Sequence, residues 1–460
     1  MNKKLLFQYI SMTIFIILFI SILTFVNQYL FSNDKVLATI IGLFYMSVIS
    51  LAIIYVVIRV IGVVGISPNI IFILFTSFYI IAGIIPMSSY RDNINLEFWI
   101  LMLVISIIFL IIGQLLGRLT VLKLNMSKNN ISENKINTKM SFVLYTISVI
   151  STLIILFRFG LVFLEPTKRF LVPSELQYLV ELSVPITVCI FSYYYNSQNK
   201  NYKLFLIPLM SLIILLSLGY RNQPMLLIMG IILIIVFKNL RAHHYKYGLK
   251  PSIFISSGLT FLLFVFSFLF IIRQENSVEL LDWASFINFY QVKNHQFSFP
   301  LFPIHLSSRE AMGVTTVAIE RFNEIKNYLG NGTLFFQDLF TLLPGNQTTA
   351  GNILGMVVNR RETVSLTPGL IGGLYLSSGL IGVIIGFMLI GFILSYNWYS
   401  YRIYGSLTNF SIMIITLIYS IELINRGVFK PMYLLVLIIP LILFSRIHKK
   451  EEEIEKNNIN

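Results

Sequence analysis

The chain has 460 residues, is 56% hydrophobic and only 12% charged, carries a formal net charge of +14, and has a mean hydropathy of +0.81. That composition excludes a soluble domain, because its repeated uncharged stretches of about 20 residues are long enough to cross a bilayer. The single cysteine, Cys189, excludes a disulfide framework and a thiolate metal site. The absence of a Walker loop, an HExxH pair or a GxGxxG with a following acidic residue argues against a bound nucleotide or zinc.

The N-terminal stretch MNKKLLFQYISMTIFIILFISIL begins like a signal peptide. Its apolar run is too long and no small-residue cleavage site follows, so it reads as the first span. Twelve apolar segments follow one another at roughly 7–28, 37–60, 67–86, 97–116, 140–161, 175–195, 204–220, 223–238, 252–272, 367–396, 408–424 and 431–446. With both termini cytoplasmic, nineteen of the 34 Lys and Arg fall in inner segments and eight in the short outer loops and span ends. The other seven lie in one long segment, 273–366, whose length exempts it from the positive-inside rule. The expected fold is an all-α polytopic membrane protein of about 12 transmembrane helices, nine in 1–272 and three in 367–446. Residues 273–366 form a large extracytoplasmic loop carrying short helices, and 447–460 form a cytoplasmic tail.

Splitting 204–238 into two crossings keeps the basic loop KNLRAHHYKYGLK inside. The adjacent histidines of that loop, His243 and His244, point about 100° apart on a helix and read as solvated rather than metal-binding. The turn GYRNQP then places Arg221 near the outer boundary, the only charge between Lys203 and Lys238. Pro224 suits the first position of the next helix, whose positive end and Arg221 together make an anion site in prospect. In the long loop, ELLDWASFINFY is amphipathic. LSSREAMGVTTVAIERFNEIKNYLGNG reads as one helix with Ser307 and Glu310 in capping-box spacing, and FQDLFTLLPG as a short helix.

The charges of the outer half are dominated by arginine: Arg158, Arg221, Arg273, Arg309, Arg321, Arg360, Arg361 and Arg426. A guanidinium forks onto phosphate or carboxylate and keeps its charge when partly buried, so the excess points to an anionic ligand. Structural pairings compete with that role. Arg426 follows Glu422 by four residues, Arg158 can meet Glu181 across neighbouring spans, and Lys168 and Arg169 suit a solvated loop. Arg309 with Glu320, and Glu310 with Arg321, lie eleven residues apart and share helix faces, as a site wall or a salt-bridged helix would. After the loop, Gly372, Gly373, Gly379, Gly382, Gly386 and Gly391 crowd one span. Gly382 and Gly386 have GxxxG spacing for close helix packing.

The stretch LTPGLIGGLYLSSGLIGVIIG resembles the Wzy-type polymerases of O-antigen and capsular repeat units, at Thr367, Pro368, Gly372, Tyr375 and Gly379. It departs at Gly373, where that family carries a glutamate, and at Ser377 and Ser378, where it carries Asn-Phe. SSRE, Ser307 to Glu310, resembles the family's outer-loop serine-arginine. The resemblance implies a GT-C-like fold and an undecaprenyl-diphosphate-linked oligosaccharide as substrate. It further implies chain growth on the outer face of a bacterial plasma membrane without metal, nucleotide or other cofactor. Membrane lipids and a chain-length regulator protein are the partners it implies, with no nucleic acid. Fixed guanidiniums suit the charge developing on a leaving diphosphate, and a carboxylate or histidine can take the acceptor proton. The catalytic candidates are Arg221, Arg273, Arg309, Glu310, Glu320 and His305, with the last three as alternative bases. Arg360, Arg361, Tyr375 and Arg426 are the substrate-binding candidates. A ligase-type transferase using the same donor is the nearer alternative, and a flippase for the same lipid the other. Against transport stand the absence of a repeat at half-length and the clustering of charge at one end.

Overall fold

The computed structural model describes residues 67–85, 87–123, 136–160, 162, 168, 171–196, 205–217, 222–242, 288, 290–292, 302–329, 333–342, 348–359 and 364–444. These residues are almost wholly helical, and one antiparallel bridge, Ser88 with Val292, is the β pairing among them. The helices in chain order are α1 Pro68–Ile84, α2 Leu96–Lys123, α3 Thr138–Phe159, α4 Ser174–Glu181, α5 Ser183–Asn196, α6 Leu206–Ser217 and α7 Asn222–Ala242. After these come α8 Phe302–Glu320, α9 Phe322–Leu329, a 3₁₀ segment Leu334–Leu342, α10 Ala350–Asn359, α11 Gly369–Tyr404, α12 Leu407–Arg426 and α13 Pro431–Phe444.

Eight of the twelve expected spans coincide with these helices, and the one at 367–396 falls on α11 but contains a bend at 378–379; those at 7–28, 37–60 and 252–272 lie outside the described residues. Among the described residues, five helical stretches are long and apolar enough to cross a membrane: α2, α3, α4 with α5, α11 and α12. Side chains such as Phe142, Phe157 and Ile381 stand exposed on them, as lipid-facing residues do. The chain is a multi-pass membrane protein. Helix α6 stops at Ser217 and α7 starts at Asn222, so the 204–238 run is divided where the sequence places a turn. Pro224 is the third residue of α7 rather than its first, still inside the turn where a missing N–H costs nothing.

Packing divides the chain into two units: 1–66, 77–94 and 239–310 form the first, and 67–76, 95–238 and 311–460 the second. In the second, α2 lies along α11 at backbone contact. A Cβ added at Gly117 would sit 2.6 Å from the Phe392 carbonyl oxygen, and one at Gly113 3.0 Å from the Phe392 nitrogen. Glycines let helices approach this closely in lipid, where close packing replaces the hydrophobic effect as the associating force. Helix α12 is buried on most faces and is tied to α5 by a 2.7 Å bond between Ser411 and Ser192.

Helix α11 is not one rod. Ser378 leaves helical geometry and Gly379 adopts φ 61°, ψ −149°, a conformation that needs glycine. Leu374 then packs on Gly386, where an added Cβ would come within 2.6 Å of its Cδ1. Twelve residues of straight helix would separate them by about 18 Å. The chain therefore folds back at 378–379, with 369–377 as a short leg laid against 380–404. The GxxxG pair, Gly382 and Gly386, receives its own preceding leg rather than a neighbouring span.

The described residues between 314 and 357 share a core with α11 and the α12–α13 connection. Val314, Ala318, Ile325, Leu334, Ile353, Leu354 and Val357 pack with Leu376 of α11 and Val428 of the α12–α13 connection. The expected capping box is absent: α8 starts at Phe302, five residues ahead of Ser307, so Ser307 and Glu310 lie inside the helix. The hydroxyl of Tyr79 donates to the Ser307 carbonyl at 2.8 Å. The single helix expected over 306–332 is also broken, at Arg321, whose guanidinium reaches the Val357 carbonyl at 2.7 Å. The short helix expected in FQDLFTLLPG is present as 3₁₀ turns. ELLDWASFINFY lies almost entirely outside the described residues.

Candidate functional site

The first unit holds a dense polar cluster where the connection after α1 meets the first turns of α8. Ser88 bridges Val292, and the Ser89 N–H donates to the Gln291 carbonyl at 3.0 Å. Arg91 and Gln291, in the turns on either side of this contact, have φ of 54° and 49°. Non-glycine residues seldom enter the left-handed region, and when they do the cost is met by surrounding contacts and often marks a site. The Tyr90 ring stands edge-on to Tyr290 at 5.3 Å, which anchors the bend.

Helix α8 presents His305, Arg309 and Glu310 to this bend. The Glu310 carboxylate takes the Arg91 fork, Oε1 from Nη2 at 3.2 Å and Oε2 from Nε at 3.3 Å, and Oε2 also accepts the Tyr90 hydroxyl at 2.5 Å. Burial raises the Tyr90 pKa and Glu310 raises it further, so the phenol stays a donor. Burial works against the Arg91 charge, but Glu310 outweighs it and the guanidinium pKa is raised. One residue earlier, Arg309 Nη1 lies 2.8 Å from Asp92 Oδ1; the arginine side chain is 7% exposed and the aspartate 50%. Arg309 Nε and Ser308 Oγ are buried without a hydrogen-bond partner. Such a donor is costly to leave open, and a ligand oxygen or a water would satisfy it.

His305 is fully buried and both ring nitrogens are engaged. Nδ1 lies 2.7 Å from the Ala82 carbonyl, which can only accept, so Nδ1 carries the hydrogen. Nε2 is then bare and accepts the Ser88 hydroxyl at 2.9 Å. Burial pushes the imidazole pKa from 6.5 down to about 4, against the pull of the Ala82 carbonyl, so it is neutral near pH 7. His305 ties α8 to the end of α1 and to the bend carrying Arg91.

The remaining candidates among the described residues lie in the second unit. Glu320 is exposed at the end of α8. Tyr375, on the short leg of α11, stands edge-on to Phe98 at 5.0 Å. Arg426 Nε lies 3.6 Å from Glu422 Oε1, an ion pair along the helix end that is too long for a hydrogen bond. Lys430 follows in the next connection, its pKa lowered first by Arg426 and then by burial, against Glu422, Glu181 and Asp338. Burial raises the Asp338 pKa, although its Oδ1 accepts the Ala350 N–H at 2.8 Å. Arg158 is exposed with its guanidinium over the Phe159 ring at 5.6 Å, and no Glu181 pairing forms. Arg221, Arg273, Arg360 and Arg361 lie outside the described residues.

Position 373 explains one departure from the sequence pattern. The short leg of α11 crosses the α12 cap so closely that a Cβ on Gly373 would meet the Gly427 carbonyl, 2.7 Å from its carbon. A glutamate has no room there. The residues that sequence reading passed over are Tyr90, Arg91 and Asp92. Their signal is weak: one short connection, SSYRDN, carrying two opposite charges between apolar runs. Nothing in one sequence links it to Glu310, 219 residues away from Arg91.

A family model described as "Putative O-antigen polymerase" matches residues 65–444. No curated protein matches the chain, and no solved structure does. The matched range takes in every described helix, the polar cluster and the folded-back leg of α11, and on that extent the chain belongs to the O-antigen polymerase family.

Proposed function

We propose that this chain joins oligosaccharide repeat units carried on undecaprenyl diphosphate into O-antigen or capsular polysaccharide. The reaction takes place at the outer face of the bacterial plasma membrane, on a fold related to the GT-C glycosyltransferases, with both termini cytoplasmic. The observation that carries this reading is the family match over 65–444. The polar cluster of the first unit supports it with suitable chemistry. In the reaction the bond from the anomeric carbon to the diphosphate oxygen breaks, and undecaprenyl diphosphate leaves with the electron pair. The acceptor hydroxyl oxygen forms the new glycosidic bond and gives up its proton.

Of the three bases considered, Glu310 has the surroundings for that proton. Each carboxylate oxygen has two lone pairs, and its present donors, Tyr90 and Arg91, leave room for a further one. His305, with both nitrogens engaged in the interior, is a positioning residue in this reading. Arg309, with its open Nε–H, is assigned to the diphosphate, while Arg221, Arg273, Arg360 and Arg361 are candidates for it on the sequence alone. A chain-length regulator would act on the product distribution rather than on the bond-forming step.

The test is elongation by the purified protein in liposomes, fed lipid-linked repeat units and no ion gradient. A ladder of longer chains with release of undecaprenyl diphosphate is expected. Transfer of single units only to a lipid A-core acceptor, or movement of units without bond formation, would overturn the reading. Glu310→Gln and Arg221→Lys should insert normally and elongate poorly.

A further inference from the structure

In the second unit, five aromatic rings run from the surface into the interior. Phe336 of the 3₁₀ segment is 48% exposed. It lies 5.0 Å from Phe335 and 5.8 Å from Phe429. Phe429 lies 5.4 Å from Tyr433, and Tyr433 lies 5.7 Å from Tyr419. The wall is held by backbone: the Phe429 N–H donates to the Phe335 carbonyl at 2.7 Å, and the Phe335 N–H donates to the Ser377 hydroxyl at 2.7 Å.

At the inner end of this wall, polar atoms stand without partners. The hydroxyls of Tyr419 and Tyr433 are buried and make no hydrogen bond, and the same holds for Glu422 Oε2 and Arg426 Nε. The two tyrosines are 5% and 4% exposed. Four orphaned groups of this kind, three on α12 and one on α13, are unusual, because buried polar atoms in native proteins are nearly always satisfied. They comprise two phenols that donate or accept, one carboxylate oxygen that accepts and one guanidinium N–H that donates.

We propose that this cluster binds the hydroxyl groups of an uncharged saccharide, the acceptor repeat unit or the growing chain, with Tyr419, Tyr433, Glu422 and Arg426 as its polar contacts. The charges argue against a second diphosphate site. Arg426 and Lys430 face three carboxylates, Glu181, Glu422 and Asp338, all acting on Lys430, so the cluster has no cationic excess. Mixed donors and acceptors beside aromatic faces suit a sugar ring, which carries hydroxyls at its edge and C–H bonds on its face. Phe336 and Phe429 at the outer end offer those faces. This assignment rests on the polymerase reading for the identity of the saccharide.

The probe is the free reducing oligosaccharide released by mild acid from the lipid-linked repeat unit. Its binding to the detergent-solubilised full chain is measured beside elongation kinetics. Tyr419→Phe with Tyr433→Phe removes only the two hydroxyls, and Phe336→Ala removes a ring that is 48% exposed. Both variants should keep the wild-type thermal midpoint, bind the oligosaccharide roughly tenfold more weakly and raise KM for the lipid-linked unit by a similar factor. Wild-type binding and KM in both variants, with the wild type elongating normally, would overturn the saccharide site and leave the polymerase reading standing. A wild-type protein that binds the oligosaccharide through these residues but never elongates would overturn the polymerase reading and keep the saccharide site.

Discussion

The Arg91–Glu310 pair yields a prediction whose magnitude follows from its geometry. Replacing either residue by alanine removes a fork whose two bonds measure 3.2 and 3.3 Å. At that separation an effective dielectric near 20 puts the Coulomb attraction at about 5 kcal/mol before any penalty. Both side chains are about one-fifth exposed, 21% and 20%, so water weakens the attraction, and both ions lose hydration on pairing. A net coupling of about 1–2 kcal/mol remains, between the value for surface pairs and that for dry ones. The assay is a double-mutant cycle: thermal unfolding of wild type, Arg91→Ala, Glu310→Ala and the double variant in one detergent. Each single variant should be destabilised, and the double variant should be less unstable than additivity requires. Raising the salt concentration should shrink the coupling only slightly, because the pair is mostly shielded from mobile ions. Additivity within about 0.3 kcal/mol would refute the argument, since it would mean that the left-handed Arg91 turn is held by something other than this pair.

Tyr90→Phe should keep the ring packing on Tyr290 but lose the hydrogen bond to Glu310, lowering kcat more than it raises KM in the elongation assay. His305 should make stability depend on pH. Its folded pKa, about 4, lies below its ordinary 6.5. The unfolded chain therefore binds more protons between those values, and the contribution is complete above pH 6.5 and lost as pH falls toward 4. The loss amounts to about 3 kcal/mol. His305→Gln should flatten the unfolding midpoint across that window, and an unchanged slope would count against the buried neutral tautomer. Two glycines of α11 should fail for different reasons. Gly373→Ala forces a Cβ into the Gly427 backbone and should cost about 3 kcal/mol, with no relief available from side-chain motion. Gly379→Ala meets no atom within 4 Å and should cost about 1–3 kcal/mol through its φ of 61° alone. Equal midpoints for wild type and both variants, by thermal scanning, would contradict the folded-back geometry.

Much of this protein follows from the sequence alone, because the bilayer imposes a one-dimensional rule. An apolar run must be helical and of a set length, so segments such as 97–116 and 140–161 correspond to α2 and α3 without any knowledge of their neighbours. Local side-chain rules carry as far: Glu422 and Arg426, one helical turn apart, do face each other. The polar cluster is a different matter. Arg91 with Glu310 and His305 with Ser88 are more than 200 residues apart, and their meeting depends on which helix ends the chain brings together. The local signal at Ser307 and Glu310 pointed to a helix start, while tertiary contacts set the start at Phe302 and gave Glu310 to Arg91 instead. The glycines of α11 show the same limit. Their spacing announces close approach, but whether the approaching surface is another span or the preceding leg depends on a backbone bend at Gly379, which is decided in three dimensions.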